Sequence, residues 1–208
     1  MKPLLVVLAL AAPLVAEQPF RRHNLNLALG AGLPRGDLKP FLSDSFGLNL
    51  GYGYRFHQNF QADIGLDTVF HAARVRDFYE SRFGDLRIRD FQYLLPFGAR
   101  AILPAASGRL QVYGGGGGAY IRYQESIRQP FGDAYVRVEC PVCQYRSGWG
   151  YYGMVGASVA LDRRGHFRLG FNSRVYRAHT SGDRFGSLPF SRTRDAWINA
   201  FAEFGVSF

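Results

Sequence analysis

The stretch DAWINAFAEFGVSF, Asp195 to Phe208, decides the fold. Taking alternate residues gives Ile198, Ala200, Ala202, Phe204, Val206 and Phe208, all apolar. The residues between them include Trp197, Asn199, Glu203, Gly205 and Ser207. A period of two belongs to a strand with two unlike faces. A strand at the end of a chain presents a row of unpaired backbone groups, and an open apolar edge of that kind invites aggregation. A sheet that closes on itself, the last strand pairing with the first, removes the edge.

Seven further segments upstream alternate in the same way. His23–Leu33 sets Leu25, Leu27, Leu29, Ala31 and Leu33 against Asn24, Asn26, Ala28, Gly30 and Gly32. Phe46–Phe56 sets Phe46, Leu48, Leu50, Tyr52, Tyr54 and Phe56 against Gly47, Asn49, Gly51, Gly53 and Arg55. Phe60–Arg74 sets Phe60, Ala62, Ile64, Leu66 and Phe70 against Gln61, Asp63, Gly65, Asp67 and His71. Phe91–Leu103 sets Phe91, Tyr93, Leu95 and Phe97 against Gln92, Pro96, Gly98 and Arg100. Arg109–Glu125 carries Gly114 to Gly118, which leaves its facing open. Trp149–Leu161 sets Trp149, Tyr151, Val155, Val159 and Leu161 against Gly150, Gly156 and Ser158. Phe167–Arg177 sets Phe167, Leu169, Phe171 and Val175 against Arg168, Gly170, Asn172 and Arg174.

The 208 residues suffice for one domain. Residues 1–16, MKPLLVVLALAAPLVA, combine Lys2, an apolar run and Ala16, the pattern of a secretory signal peptide. That run is too short for a spanning helix, and an N-terminal anchor is the alternative. Residues 17–22 are expected to lead, on the periplasmic side, into a barrel domain of residues 23–208. The 25 Gly, 18 Phe and 12 Tyr favour strands and tight turns. The net charge of +9 is carried by arginine, with only Lys2 and Lys39 as lysines. For an exported chain this argues for lipid phosphates, which guanidinium binds as a bidentate fork, and against nucleic acid.

In a water-soluble barrel the large apolar residues point inward. Here one face is uniformly large and apolar with aromatics near its ends, and the other is rich in glycine with a few charges. Small residues suit a narrow lumen, and large ones suit lipid with aromatic residues at the interfaces. A soluble exported barrel is the rival. The connections alternate in length: His57–Asn59, Pro104–Gly108 and Asp162–His166 are short, whereas Pro34–Ser45, Val75–Asp90, Ser126–Gly148 and Ala178–Arg194 are long. Short turns on one side and long loops on the other suit an outer-membrane barrel, both termini being on the short-turn, periplasmic side. The expected fold is all-β, an eight-stranded antiparallel up-and-down transmembrane β-barrel.

A leader, eight amphipathic strands and the Phe204, Val206, Phe208 ending together resemble the small eight-stranded outer-membrane proteins of the OmpA/OmpX type and the outer membrane protein β-barrel domain families, over residues 20–208. The resemblance implies location in the cell outer membrane of a Gram-negative bacterium. It further implies that Phe204, Val206 and Phe208 are the signal read by the barrel-assembly machinery, with periplasmic chaperones acting during biogenesis. It says little about function, because such scaffolds host many roles.

The expected lumen holds Asp63, Asp67 and Glu203 with Arg55, Arg100, Arg168 and Arg174. Opposite charges in a narrow interior should pair, because an isolated buried charge is costly. A salt-bridged plug is the first reading and a narrow channel the alternative. Cys140 and Cys143 form C-P-V-C in the longest loop, where an exported protein favours a local disulfide over free thiols. A metal site would need two more ligands, and no metal or other cofactor is expected. Gly114 to Gly118 lacks the Lys-Ser/Thr of a phosphate-binding loop and reads as strand that bends or packs closely against a bulky neighbour. His179 and Ser181 would point outward near the outer leaflet, in an H-x-S element similar to that of the lipid A 3-O-deacylase family. The resemblance would make His179 the base and Ser181 the nucleophile. Gly182 stands where that family has asparagine, and Asp183 and Asp195 are candidate acids by proximity in sequence. The long loops carry Arg76, Arg82, Arg87 and Arg89, then Arg184, Arg192 and Arg194, at the height of lipopolysaccharide phosphates. The functional expectation is a non-enzymatic structural or surface-interaction protein whose partners are outer-membrane lipid and lipopolysaccharide. A lipid A-modifying hydrolase and a narrow channel are the alternatives.

Overall fold

A computed structural model describes residues 20–70, 78–81, 84–106, 108–128, 139–184 and 191–208, without the side chains of 78–88, 128 and 139. The signal-peptide reading of residues 1–16, the end of the third segment at His71–Arg74, and Arg76 and Arg82 lie outside the described residues.

The strands are β1 (His23–Gly36), β2 (Ser45–His57), β3 (Phe60–Phe70), β4 (Phe78–Ser81), β5 (Gly84–Ala105), β6 (Leu110–Arg128), β7 (Glu139–Ala160), β8 (Phe167–Gly182) and β9 (Arg192–Ser207). Each pairs antiparallel with its neighbours, β3 pairs with β5, and β9 pairs with β1. β4 pairs with β5 beyond the end of β3, so β3 and β4 share one lane of the ring. Eight lanes therefore close completely. The seam is fixed at its base by reciprocal backbone bonds, His23 N–H to Phe208 O at 3.0 Å and Phe208 N–H to His23 O at 2.9 Å. The Phe208 ring stacks on the His23 ring at 5.5 Å.

The alternation faces as the sequence predicts. Leu27, Ile64, Val155, Phe171 and Phe204 are all more than two-fifths exposed, while Asn49, Asp67, Asn172 and Asn199 are fully enclosed. A continuous apolar outer band is a liability in water and a requirement in lipid. The soluble-barrel rival fails on this point. Aromatic groups mark both edges of the band. Phe56–Phe60 and Phe167–Phe204 pack near the short turns, and Tyr120–Trp149 and Phe91–Tyr93 toward the other end.

Two expectations change. Much of what is described of the last three long connections is strand: β5, β6 and β7 run 22, 19 and 22 residues, against the ~9–11 that cross a bilayer. The excess continues the wall beyond the lipid at the long-loop end. Cys140 and Cys143 thus lie on β7, where Glu125 and Ile127 of β6 face Gln144 and Cys140 across a bulge, and the two sulfurs are bonded to each other. The second change is in the lumen, which holds large apolar groups as well as glycine and ions. Leu38 and Leu42, on a turn closed by Leu42 N–H to Leu38 O at 2.9 Å, are buried with Val69, Leu94, Ile121, Tyr123, Tyr176 and Trp197. The β1–β2 connection therefore folds back into the outer mouth as a plug.

The facing of the glycine-rich strand is settled. On β6, Gln111, Tyr113, Ala119, Ile121, Tyr123 and Glu125 point inward, which puts Gly115 and Gly117 inside and Gly114, Gly116 and Gly118 outside. A Cβ on Gly118 would come within 2.8 Å of the Phe97 ring, the bulky neighbour its smallness accommodates.

Candidate functional site: the filled lumen and its outer rim

The inward residues of β8, read upward from the short turns, pass through the lumen layer by layer. Arg168 donates to Ser158 Oγ at 3.1 Å and to the Arg109 carbonyl at 2.9 Å. Asn172 donates to Glu203 at 2.5 Å, and the Tyr113 hydroxyl donates to the same carboxylate oxygen at 3.2 Å. Arg174 donates to Asp67 at 2.5 Å. The Asp67 carboxylate also accepts from Asn49 at 2.6 Å, Tyr176 at 2.7 Å and Asn199 at 3.0 Å. Above lie Tyr176, Ala178 and the apolar plug. Above that, Thr180 donates to Asp195 at 2.6 Å and is contacted by Arg146 at 3.1 Å. Beside the plug, Trp197 Nε1 donates to the Tyr123 hydroxyl at 2.8 Å.

Of the four arginines expected in the lumen, two meet a carboxylate. Arg100 forks onto Asp63 at 2.6 and 2.9 Å, and Arg174 pairs with Asp67. Glu203 is held by neutral donors. Among the described residues Arg55 and Arg168 contact no carboxylate within ion-pair distance; Arg55 donates to Gln111 Oε1 at 3.2 Å. Amides, phenols and hydroxyls can satisfy buried charge as well as counter-ions can, which the pairing expectation left out. Sequence reasoning also missed Arg146, Tyr113, Tyr123, Tyr176 and Phe201. Tyr176 and Phe201 lie at inward positions of segments whose period was read, so phase was the signal there and polarity the misleading one; Tyr113 and Tyr123 lie on the segment whose facing was open, and Arg146 in a connection read as loop.

His179 and Ser181 are exposed on the outer face of β8, as their phase predicts. Asp195 is not available to them: it is enclosed in the lumen, on the other side of the wall, with Thr180 and Thr193. Asp183 accepts the Tyr145 backbone N–H at 3.2 Å. The cross-strand neighbours of His179 are Trp149 and Arg194, and those of Ser181 are Ser147 and Arg192. An aromatic and basic rim thus surrounds the pair, with Arg177, Arg192 and Arg194 exposed. Among the described residues no group of His, Cys, Asp and Glu could hold a metal ion.

The outer membrane protein β-barrel domain model matches residues 3–191. The chain belongs to that family. Family and architecture together place the protein in the outer membrane. Its structure is similar to that of Neisserial surface protein A, with a TM-score of 0.53 and 10% identity over 92% of this chain and 100% of that one. OprG from Pseudomonas aeruginosa gives a TM-score of 0.49 and 13% identity over 91% and 97%. Ail of Yersinia pestis, crystallised with the heparin analogue sucrose octasulfate, gives 0.48 and 11% over 89% and 99%. At these identities the likeness concerns the fold. No curated protein matches the sequence.

Proposed function

We propose that this outer-membrane protein is a closed, non-enzymatic barrel whose outer rim binds the phosphate groups of lipopolysaccharide. The observation that carries the reading is the arginine-bearing rim, on which Arg177, Arg192 and Arg194 are exposed and Arg122 is half-buried. Arg122 of β6, Ser147 of β7, Ser181 of β8 and Arg192 of β9 are successive cross-strand neighbours, and Arg177 and Arg194 flank them on β8 and β9. Arg122 stacks over the Tyr145 ring at 5.2 Å. Guanidinium groups fixed at the level of an aromatic girdle match phosphates at the lipid surface in charge and in geometry. In this reading the chain is exported behind its leader, and Phe204, Val206 and Phe208 present the closing strand to chaperones and the assembly machinery.

The test is binding of purified, refolded barrel to lipopolysaccharide at rising salt. Taking about 1 kcal/mol for each surface cation facing anionic lipid, Arg177→Gln, Arg192→Gln and Arg194→Gln together should weaken binding roughly 100-fold. Wild-type affinity should fall with salt. Salt-independent binding, or no loss in the triple variant, would remove the proposal.

Among the described residues no acid is placed to orient His179, which counts against the hydrolase reading. Ser181→Ala in cells is therefore expected to leave the acyl chains of lipid A unchanged by mass spectrometry, and loss of a deacylated species would reinstate it. The channel reading meets the plug of Leu38, Leu42 and Trp197, which separates the polar layers below it from those above.

A further inference from the structure

The periplasmic end of the lumen contains a cavity of about 40 Å³, lined from the bases of β1, β2, β3, β5, β6, β7, β8 and β9. That exceeds the ~10–15 Å³ a single water requires. Arg55, Arg100 and Arg168 line it, and among the described residues Glu203 is its only lining carboxylate. Asp63 engages two nitrogens of Arg100, and Glu203 already accepts from Asn172 and Tyr113. The walls therefore carry more cation than anion. Arg55 is the informative member. It is more than nine-tenths buried; among the described residues its one side-chain hydrogen bond goes to the neutral Gln111, and its Nε–H has no partner. A buried guanidinium with an unsatisfied N–H is costly, and an oxyanion offers what the site lacks, charge and acceptor oxygens together.

We propose that this cavity is a binding site for a small inorganic oxyanion of the phosphate or sulfate class, entering from the periplasm. Arg55 and Arg168 supply the two charges that, among the described residues, no carboxylate meets within ion-pair distance. Asn24 and Ser207, which bond to each other at 2.6 Å, form part of the cavity wall. Access from outside is closed by the Asp67 layer and the apolar plug, so the site samples periplasmic anions only. The site is independent of the outer rim and does not rest on lipopolysaccharide binding.

The experiment follows the arginine Nε–H resonances of the full barrel, refolded in an uncharged, phosphate-free maltoside detergent. Inorganic phosphate, sulfate and chloride are titrated at constant ionic strength. A saturable shift at the Arg55 Nε–H with phosphate and sulfate, absent with chloride, is expected. Arg168→Gln should weaken it at least 10-fold, and Arg194→Gln on the outer face should leave it unchanged. Arg55→Gln should abolish phosphate-dependent shifts at Arg168. If that variant fails to fold, judged by heat-modifiable gel migration, the wild-type and Arg168→Gln titrations decide. A non-saturating response, equal shifts with all three anions, or an Arg55 signal that reports water alone would overturn the proposal.

Discussion

Asp67→Ala is expected to lower the unfolding free energy by about 3–5 kcal/mol, the usual cost of removing one partner of a buried ion pair. Asp67 is fully enclosed and its two oxygens serve Arg174, Asn49, Tyr176 and Asn199. Removing the carboxylate strands a guanidinium and three neutral donors in a space sealed by the plug. Urea-driven unfolding of the barrel from lipid vesicles measures the change, through the midpoint and slope together. The double variant Asp67→Leu with Arg174→Met removes both charges and should recover much of the loss, because replacing a buried pair by apolar groups is often neutral or better. The interaction energy then appears directly in the double-mutant cycle. Asp44→Ala is the matched control: its pair with Arg35 spans 3.6 Å at the surface, and such pairs contribute about 0–1 kcal/mol. An Asp67→Ala cost below about 1 kcal/mol would mean that water reaches this layer, and the lumen would no longer count as closed.

The outer surface of this barrel was more legible than its interior, for a physical reason. Lipid accepts only one kind of side chain, so Leu25, Leu27 and Leu29, or Phe167, Leu169 and Phe171, announce both the strand and its facing. The lumen accepts anything that fills space and satisfies its polar atoms. Phe201 and Tyr176 are apolar or aromatic residues on the inner face, and a polarity criterion passes over them. The strand extensions were hidden for a related reason. Above the membrane the outer face meets water, with His179, Ser181, Arg192 and Arg194 exposed, while Thr180, Thr193 and Asp195 fill the inner face, so both faces are polar and stretches such as Ala178–Gly182 and Arg192–Asp195 lose the contrast that marks a strand and read as loop. The plug was not legible at all: Leu38 and Leu42 lie four residues apart in a connection, and nothing local says that the turn folds inward. At the rim, the phase of β8 correctly put His179 and Ser181 outside. The same rule applied to β9 puts Asp195 inside, since Trp197, Asn199 and Glu203 share its phase, and that would have withdrawn it as a catalytic acid.

Phase also distinguishes glycines that look identical in sequence, and here the expected effects have opposite signs. Gly98 of β5 and Gly117 of β6 are directly opposed. A Cβ on Gly117 would fall onto the Phe97 carbonyl oxygen and come within 2.6 Å of the Gly98 Cα, and a Cβ on Gly98 would come within 2.8 Å of the Gly117 Cα. The obstacle in each case is backbone of the neighbouring strand, which no rotamer change relieves. Gly117→Ala must therefore push β5 and β6 apart in the middle of their longest ladder. Overpacking typically costs about 1–3 kcal/mol and occasionally more, and this site belongs at the upper end. Gly153, on the lipid face of β7, has no atom within 4 Å of where its Cβ would stand, and its φ is not in the left-handed region. Gly153→Ala should be neutral or stabilising by roughly 0.4–1 kcal/mol, because alanine restricts the unfolded chain at no cost to the folded one. Vesicle-based urea titrations of the two variants separate the cases. Equal effects would show that β5 and β6 can part freely, and the glycine run would then serve strand flexibility instead of the close approach of two backbones.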